Sequence, residues 1–170
     1  MAEPVVLRFA QPRDVPDILA FIRELAEYEQ LADHVTADAA TLEGSLFGPD
    51  RSAEVVLAEV AGTPAGFALF FHNFSTFLGR RGLYLEDLYV SPRFRGLGLG
   101  KKLMAGLARI AVERDCGRFE WWVLDRNRPA IGFYRSLGAV GMDEWTVQRI
   151  DGEALAGLAA AGAEVAPARG

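Results

Sequence analysis

The chain has 170 residues, 51% of them hydrophobic, a formal net charge of −5 at pH 7 and a single cysteine. That length buries one substantial core, and the acidic balance argues against broad nucleic-acid binding, which needs a basic face to neutralise phosphates. Cys116 has no partner for an internal disulfide, and neither it nor the isolated His34 and His72 shows metal-ligand spacing, so no metal is expected. No apolar run reaches about 18 residues, and MAEPVVLRFAQ lacks a basic stretch followed by an apolar leader, so a cytoplasmic protein without a membrane partner is expected.

In chain order, VVLRFA reads as a short strand. QPRDVPDILAFIRELAEYEQ follows as a helix in which Ile18, Ile22 and Leu25 recur at helical spacing, with Asp14 as N-cap and Pro16 in the first turn. Thr36 is placed to cap a second helix, which runs to about Leu46 and stops at the Gly48-Pro49-Asp50 turn. AEVVLAEVAG and PAGFALFFHNF, parted by a Gly-Thr-Pro turn, carry a hairpin signature, and YLEDLYV is a further strand. From Leu99 to about Arg114, the stripe Leu99, Leu103, Leu107 and Ile110 predicts a helix, and FEWWVL predicts a strand. Strand, helix and strand in that order predict a parallel pair. Asn127 caps the short helix RPAIGFYRSL, Gly138 ends it in a left-handed conformation, and AVGMDEWTVQRID reads as a closing hairpin. The order predicts a mixed sheet with helices on both faces, in one domain over residues 1–152. Residues 153–170 form an Ala-rich and Gly-rich tail, partly helical or flexible.

The segment YLEDLYVSPRFRGLGLGKK sets two carboxylates in a strand and bare backbone at a helix start about a dozen residues later. A P-loop needs a glycine and a hydroxyl where Arg95 and Lys102 stand, and the dinucleotide fingerprint needs a third glycine where Lys101 stands, so both are disfavoured. What remains is Arg-x-x-Gly-x-Gly, from Arg95 through Gly98 to Gly100. Glycines let successive amides approach an anion, and the helix start adds a favourable dipole, so a pyrophosphate fits; a glycine-rich turn with a basic cap has the same pattern. Glu86 and Asp87, adjacent in a strand, point to opposite faces unless a bulge intervenes. Carboxylates between Leu85 and Leu88 are costly to bury without partners, which favours a polar cleft.

Strand, Arg-x-x-Gly-x-Gly, long helix, strand and an Asn-capped helix bearing a tyrosine together resemble the GNAT superfamily of acetyl-CoA-dependent N-acetyltransferases. RELAEYE at residues 23 to 29, YLEDLYV, RGLGLG and NRPAIGFYRSLGA resemble its diamine (spermidine/spermine) and thialysine branch, over nearly all of the first 150 residues. The resemblance implies the α/β (α+β) GNAT fold, a central mixed, mostly antiparallel sheet with a splayed parallel pair, flanked by helices on both faces. It places acetyl-CoA in the splay. The backbone of Leu88, Tyr89 and Val90 would hold the pantetheine arm, and Arg95, Gly96, Leu97, Gly98, Leu99, Gly100 and Lys101 would wrap the pyrophosphate, with the leucines facing the core. Asn127, Ala130 and Phe133 would line the acetyl end, Phe133 also packing in the core.

The resemblance further implies Tyr134 as the general acid for the departing sulfur and Glu86 as the carboxylate that removes the amine's proton through water. A base is needed because an ammonium pKa near ~10.4 leaves roughly one molecule in a thousand nucleophilic at physiological pH. Tyr28, Glu29, Glu86 and Asp87 become the amine-binding residues. The expected substrate is a primary amine of a small molecule. Arg80, Arg81 and Arg128 make the surroundings more basic than a polyamine pocket prefers, which brings thialysine, lysine or ornithine-like substrates in beside diamines. The alternatives are acetylation of peptide or protein lysine by the same residues, or a noncatalytic acyl-CoA-binding sensor. The resemblance also implies a homodimer formed through C-terminal strands, with which the apolar EWTV segment is compatible.

Overall fold

The computed structural model describes residues 4–167. Strand β1 (Val5–Phe9) is followed by two helices, α1 (Val15–Tyr28) and α2 (Ala39–Phe47), and by three strands, β2 (Glu54–Val60), β3 (Thr63–Ser75) and β4 (Arg80–Val90). Helix α3 (Leu99–Glu113), strand β5 (Phe119–Trp121) and helices α4 (Arg128–Ser136) and α5 (Gly152–Ala160) complete the order. The strands form one sheet in sequence order, antiparallel throughout except for the parallel pair of β4 and β5. The mixed sheet with flanking helices is the expected fold class.

Both faces of this sheet are covered. β2 is buried at four successive positions, Val55 to Ala58, the pattern of a strand packed on both sides. On one face, Ile18 and Phe21 of α1 pack with Leu46, Leu57, Phe67 and Tyr89. The predicted α3 stripe is also apolar core: Leu99, Leu103 and Leu107 are all but sealed from solvent, and Leu99 packs with Val60 and Ala65.

Local signals were read correctly in kind but displaced at several boundaries. Asp14 precedes α1 without capping it; its carboxylate accepts from the Gln11 N–H and takes both Arg8 donors at 2.7 and 2.9 Å, while Arg8 also reaches Glu59 at 2.6 Å. A charged partner in reach outcompetes a cap. Helix α2 is capped by Asp38, whose side chain accepts from the Thr41 N–H at 2.8 Å, rather than by Thr36. The β2–β3 turn is Ala61-Gly62, with φ of 49° and 78°, so Thr63 and Pro64 already belong to β3. β4 begins at Arg80, because cross-strand pairing with β3 continues out to Ser75 opposite Arg80.

Two predicted strands shrink or vanish. FEWWVL yields only the three residues of β5, and residues 139–150 carry no strand, so the closing hairpin is not formed. Alternating apolar residues signal a strand only where an edge pairs with them, and among the described residues none pairs with this segment. By contact the chain divides into a unit ending at Ile131 and one beginning at Gly132. In the second, Gly138 takes φ 93° and Ala139 N–H returns to the Tyr134 carbonyl, which closes α4 as expected, and α5 makes the tail partly helical.

One close approach ties the fold to the site. A Cβ on Gly66 of β3 would lie 2.5 Å from the Tyr89 carbonyl oxygen and 3.1 Å from Val90 Cα, both backbone atoms of β4. Gly66→Ala is expected to force the two strands apart, at a cost of about 1–3 kcal/mol. Thermal unfolding followed by circular dichroism should show a midpoint lowered by roughly 3–10 °C; an unchanged midpoint would mean the strands separate freely there.

Candidate active site

The pairing of β4 with β3 slips between Leu69 and Phe70: Asp87 stands opposite Leu69 and Leu85 opposite Phe70, which leaves Glu86 as the extra residue of a β-bulge. Simple alternation between the two carboxylates is therefore broken. Asp87 shares a face with Leu69 and Tyr89, the face covered by α1, since Tyr89 lies against Phe21. Burial pushes the Asp87 carboxyl up to about 6, and the negative charges of Glu86 and Glu29 add to the shift. Glu29, at the end of α1, is also raised by burial, against the pull of Arg126, whose guanidinium donates to the Glu29 carbonyl at 2.6 Å. Tyr84 lies buried on the same side, its hydroxyl held well above the usual phenol range by burial and then by Glu86 and Glu120. Glu86 itself is exposed.

Beside these carboxylates the sheet opens. β5 accompanies β4 only from Leu83 to Leu85, so from Glu86 to Val90 that edge of β4 has no strand next to it. Ser91 N–H donates to the Ala65 carbonyl at 2.9 Å, which sets the alternation of the ladder: Tyr89 turns its backbone groups to β3, and Leu88 and Val90 turn theirs to the open edge. Leu88 and Val90 are thus able to hold an extended amide arm. Tyr89 contributes its ring to the core instead, with its hydroxyl donating to Glu24 at 2.8 Å.

The glycine loop has the conformation that its sequence suggests. Gly96 and Gly98 take φ of 81° and 72°, and Gly98 is the N-cap of α3. No side chain caps this helix and its first bond runs from Lys102 N–H to the Gly98 carbonyl, so the N–H groups of Leu99, Gly100 and Lys101 have no helical acceptor. A Cβ on Gly96 or Gly98 would meet nothing within 4 Å, so the approach to these amides is clear. Leu99 anchors the turn in the core, whereas Leu97 is 50% exposed and faces outward, contrary to expectation. Arg95 lies over the rings of Tyr28 and Tyr89, with its guanidinium carbon 5.5 and 6.0 Å from their centroids, and its Nε donates to the Val90 carbonyl.

Asn127 caps α4 as expected, its Oδ1 accepting from the Ala130 N–H at 3.2 Å. Phe133 and Tyr134 are neighbours on that helix, ring centroids 5.2 Å apart, and belong to the second unit. What the sequence reading passed over is the company of Tyr28. An open pocket of about 480 Å³ is lined by Glu24, Glu27, Tyr28, Tyr89, Arg93 and Arg95 among others. Their three- and four-residue spacing along α1 was the available signal; it is equally the spacing of solvated helix charges.

Residues 18–139 match the acetyltransferase (GNAT) family. The chain belongs to this family. It is 37% identical over 166 residues to the thialysine N-epsilon-acetyltransferase of Sus scrofa, covering 91% of this chain and 97% of the other. It is 31% identical to the L-ornithine N5-acetyltransferase of Arabidopsis thaliana, covering 88% and 85%. Among solved structures, an integron cassette protein from the mobile metagenome of V. cholerae superposes with a TM-score of 0.77 at 30% identity, over 91% of this chain and 97% of that one. The chain is therefore a GNAT acetyltransferase, and the motif resemblance that pointed to this family is borne out. Among the described residues of this acetyltransferase, no helix is long and apolar enough to cross a membrane, and no group of three or more His, Cys, Asp or Glu side chains is placed to hold a metal ion.

Proposed function

We propose that this acetyltransferase moves the acetyl group of acetyl-CoA to a primary amine of a small, amino-acid-like molecule, by direct attack with both substrates bound. The observation that carries the reading is the group Glu86, Asp87 and Glu29 gathered beside the open edge of β4. The thialysine and ornithine named for its relatives support the choice of amine.

The residues present fit coenzyme A. The uncapped start of α3 with clear space over Gly96 and Gly98 suits a pyrophosphate, with Lys101 adding charge, and the outward backbone of Leu88 and Val90 suits an amide-bearing arm. When bound, acetyl-CoA supplies an acetyl group activated as a thioester. Glu86, exposed at the bulge, draws the ammonium in. Asp87, with a carboxyl near 6, is matched to accepting its proton close to neutral pH, directly or through one water. The Leu88 N–H at the open edge is available to charge developing on a carbonyl oxygen. Tyr134 acts as the acid for the leaving sulfur, on its match to the NRPAIGFY motif, and Asn127, Ala130 and Phe133 line the acetyl end. Residues 1–152 make up the catalytic domain of a cytoplasmic homodimer. The exposed Trp145 and Val147 of the C-terminal segment, 76% and 51% exposed, support the pairing.

A thiol-release assay with acetyl-CoA against thialysine, ornithine, lysine, putrescine, spermidine and a histone-type peptide tests the reading. Turnover is expected to be greatest with the amino acids. Greater turnover on the peptide moves the acceptor to protein lysine, and thermal stabilisation by acetyl-CoA with no turnover on any amine makes the chain a sensor.

A further inference from the structure

The pocket between the end of α1 and the turn after β4 takes no part in the chemistry above. Its walls carry opposite charges: Glu24 and Glu27 from α1, Arg93 and Arg95 from the turn, with Tyr28 and Tyr89 between them. Two of the four are already engaged. Glu24 accepts from the Tyr89 hydroxyl at 2.8 Å, and Arg95 rests on the two tyrosine rings and on the Val90 carbonyl. Glu27 and Arg93 are different: among the described residues neither enters an ion pair, and Arg93 is satisfied only by the ring of its neighbour Phe94, 5.0 Å away. A carboxylate and a guanidinium left open on one pocket complement a ligand that carries an ammonium and a carboxylate side by side. A diamine would satisfy the first and leave the second.

The pocket also stands at a suitable distance from the carboxylates. Tyr89 in its wall and Asp87 lie on one face of β4 two residues apart, which is about 6.6 Å of strand. Tyr28 and Glu29, consecutive at the end of α1, bridge the same interval: Tyr28 lines the pocket, and the Glu29 charge acts on Asp87. The five bonds from the α-carbon of a lysine-length amino acid to its terminal nitrogen span about 6 Å when extended.

We propose that this pocket holds the α-amino-acid head of the amine substrate, Arg93 with Arg95 taking the α-carboxylate and Glu27 with Glu24 the α-ammonium. Only the distal amine then reaches Asp87, so the enzyme selects free amino acids over diamines and acetylates them at the far nitrogen. The inference rests on the acetyltransferase reading above and adds to it the residues that choose the substrate.

Three amines of one chain length separate the contributions: thialysine, bis(2-aminoethyl) sulfide, which lacks only its carboxylate, and 3-(2-aminoethylsulfanyl)propanoate, which lacks only its α-amine. Wild type is expected to prefer thialysine to each by about tenfold or more in kcat/KM, the worth of one charge-assisted contact. Arg93→Ala should lower the ratio of thialysine to the diamine about tenfold, and Glu27→Gln the ratio of thialysine to the propanoate by a similar factor, with KM for acetyl-CoA unmoved in both. Equal use of the three amines by wild type overturns the head-group pocket while leaving acetyl transfer intact. So does an Arg93→Ala variant whose KM for acetyl-CoA rises while all three amines fall together, since the guanidinium would then serve the coenzyme. Absence of transfer to any amine overturns the acetyltransferase reading itself and this inference with it.

Discussion

Asp87→Asn is expected to abolish the acidic limb of the pH–rate profile and to lower kcat/KM about 10²–10³-fold near neutrality. In wild type, only the ionised Asp87 can accept the amine's proton, so log kcat/KM should climb with pH and level off above about 6. The same group makes an opposite prediction for stability. Burial and two neighbouring carboxylates favour its protonated form in the fold, so its contribution is fully present below the ordinary aspartate pKa of about 3.9 and is lost as pH rises through about 6. Asparagine cannot ionise and escapes that loss. The inactive variant should therefore be the more stable protein at pH 8, by something on the order of 2 kcal/mol, with the difference shrinking toward pH 4. Urea unfolding at the two pH values decides it: a variant less stable at both would show that Asp87 is held by favourable partners rather than confined against its charge. Gain of stability with loss of rate is the usual mark of a group kept in place for chemistry.

Tyr134→Phe is expected to reduce turnover about 10²–10³-fold with acetyl-CoA affinity nearly unchanged. A thiol with an ordinary pKa of about 8.5 is a poor leaving group until protonated, and a phenol with a pKa of about 10 keeps its proton across the working range, so the acid is always loaded. Rapid-mixing measurement of thiol release, beside calorimetric binding of acetyl-CoA, separates the two quantities. Wild-type turnover across the pH range would remove the acid role from Tyr134 and leave the departing sulfur to solvent.

Much of the site was legible in advance wherever the signal was local. Asn127 announced the cap it makes, and Gly96 and Gly98 announced left-handed backbone at a helix start. Leu99, Leu103 and Leu107 announced the face of α3 that is buried. Each of these depends on residues within a turn or two of one another. Leu97 shows where such reading stops, since alternation with glycine suggested a second anchor, and the loop instead turns it outward. The segment 139–150 shows it again, because apolar alternation measures readiness to pair and not the presence of a partner.

By itself, then, the sequence determined the order of elements, the family, and the loop on which a pyrophosphate can sit, because caps, helical stripes and glycine turns are written in short-range sterics and hydrogen bonding. Tertiary structure alone decided which carboxylate is chemically distinctive. The bulge at Glu86 exists only in the pairing of β4 with β3, and the raised carboxyl of Asp87 exists only because the end of α1 brings burial and Glu29 to its side. The electrostatics of a carboxylate depend on everything within several ångströms of it, and those neighbours came from parts of the chain that no local pattern connects.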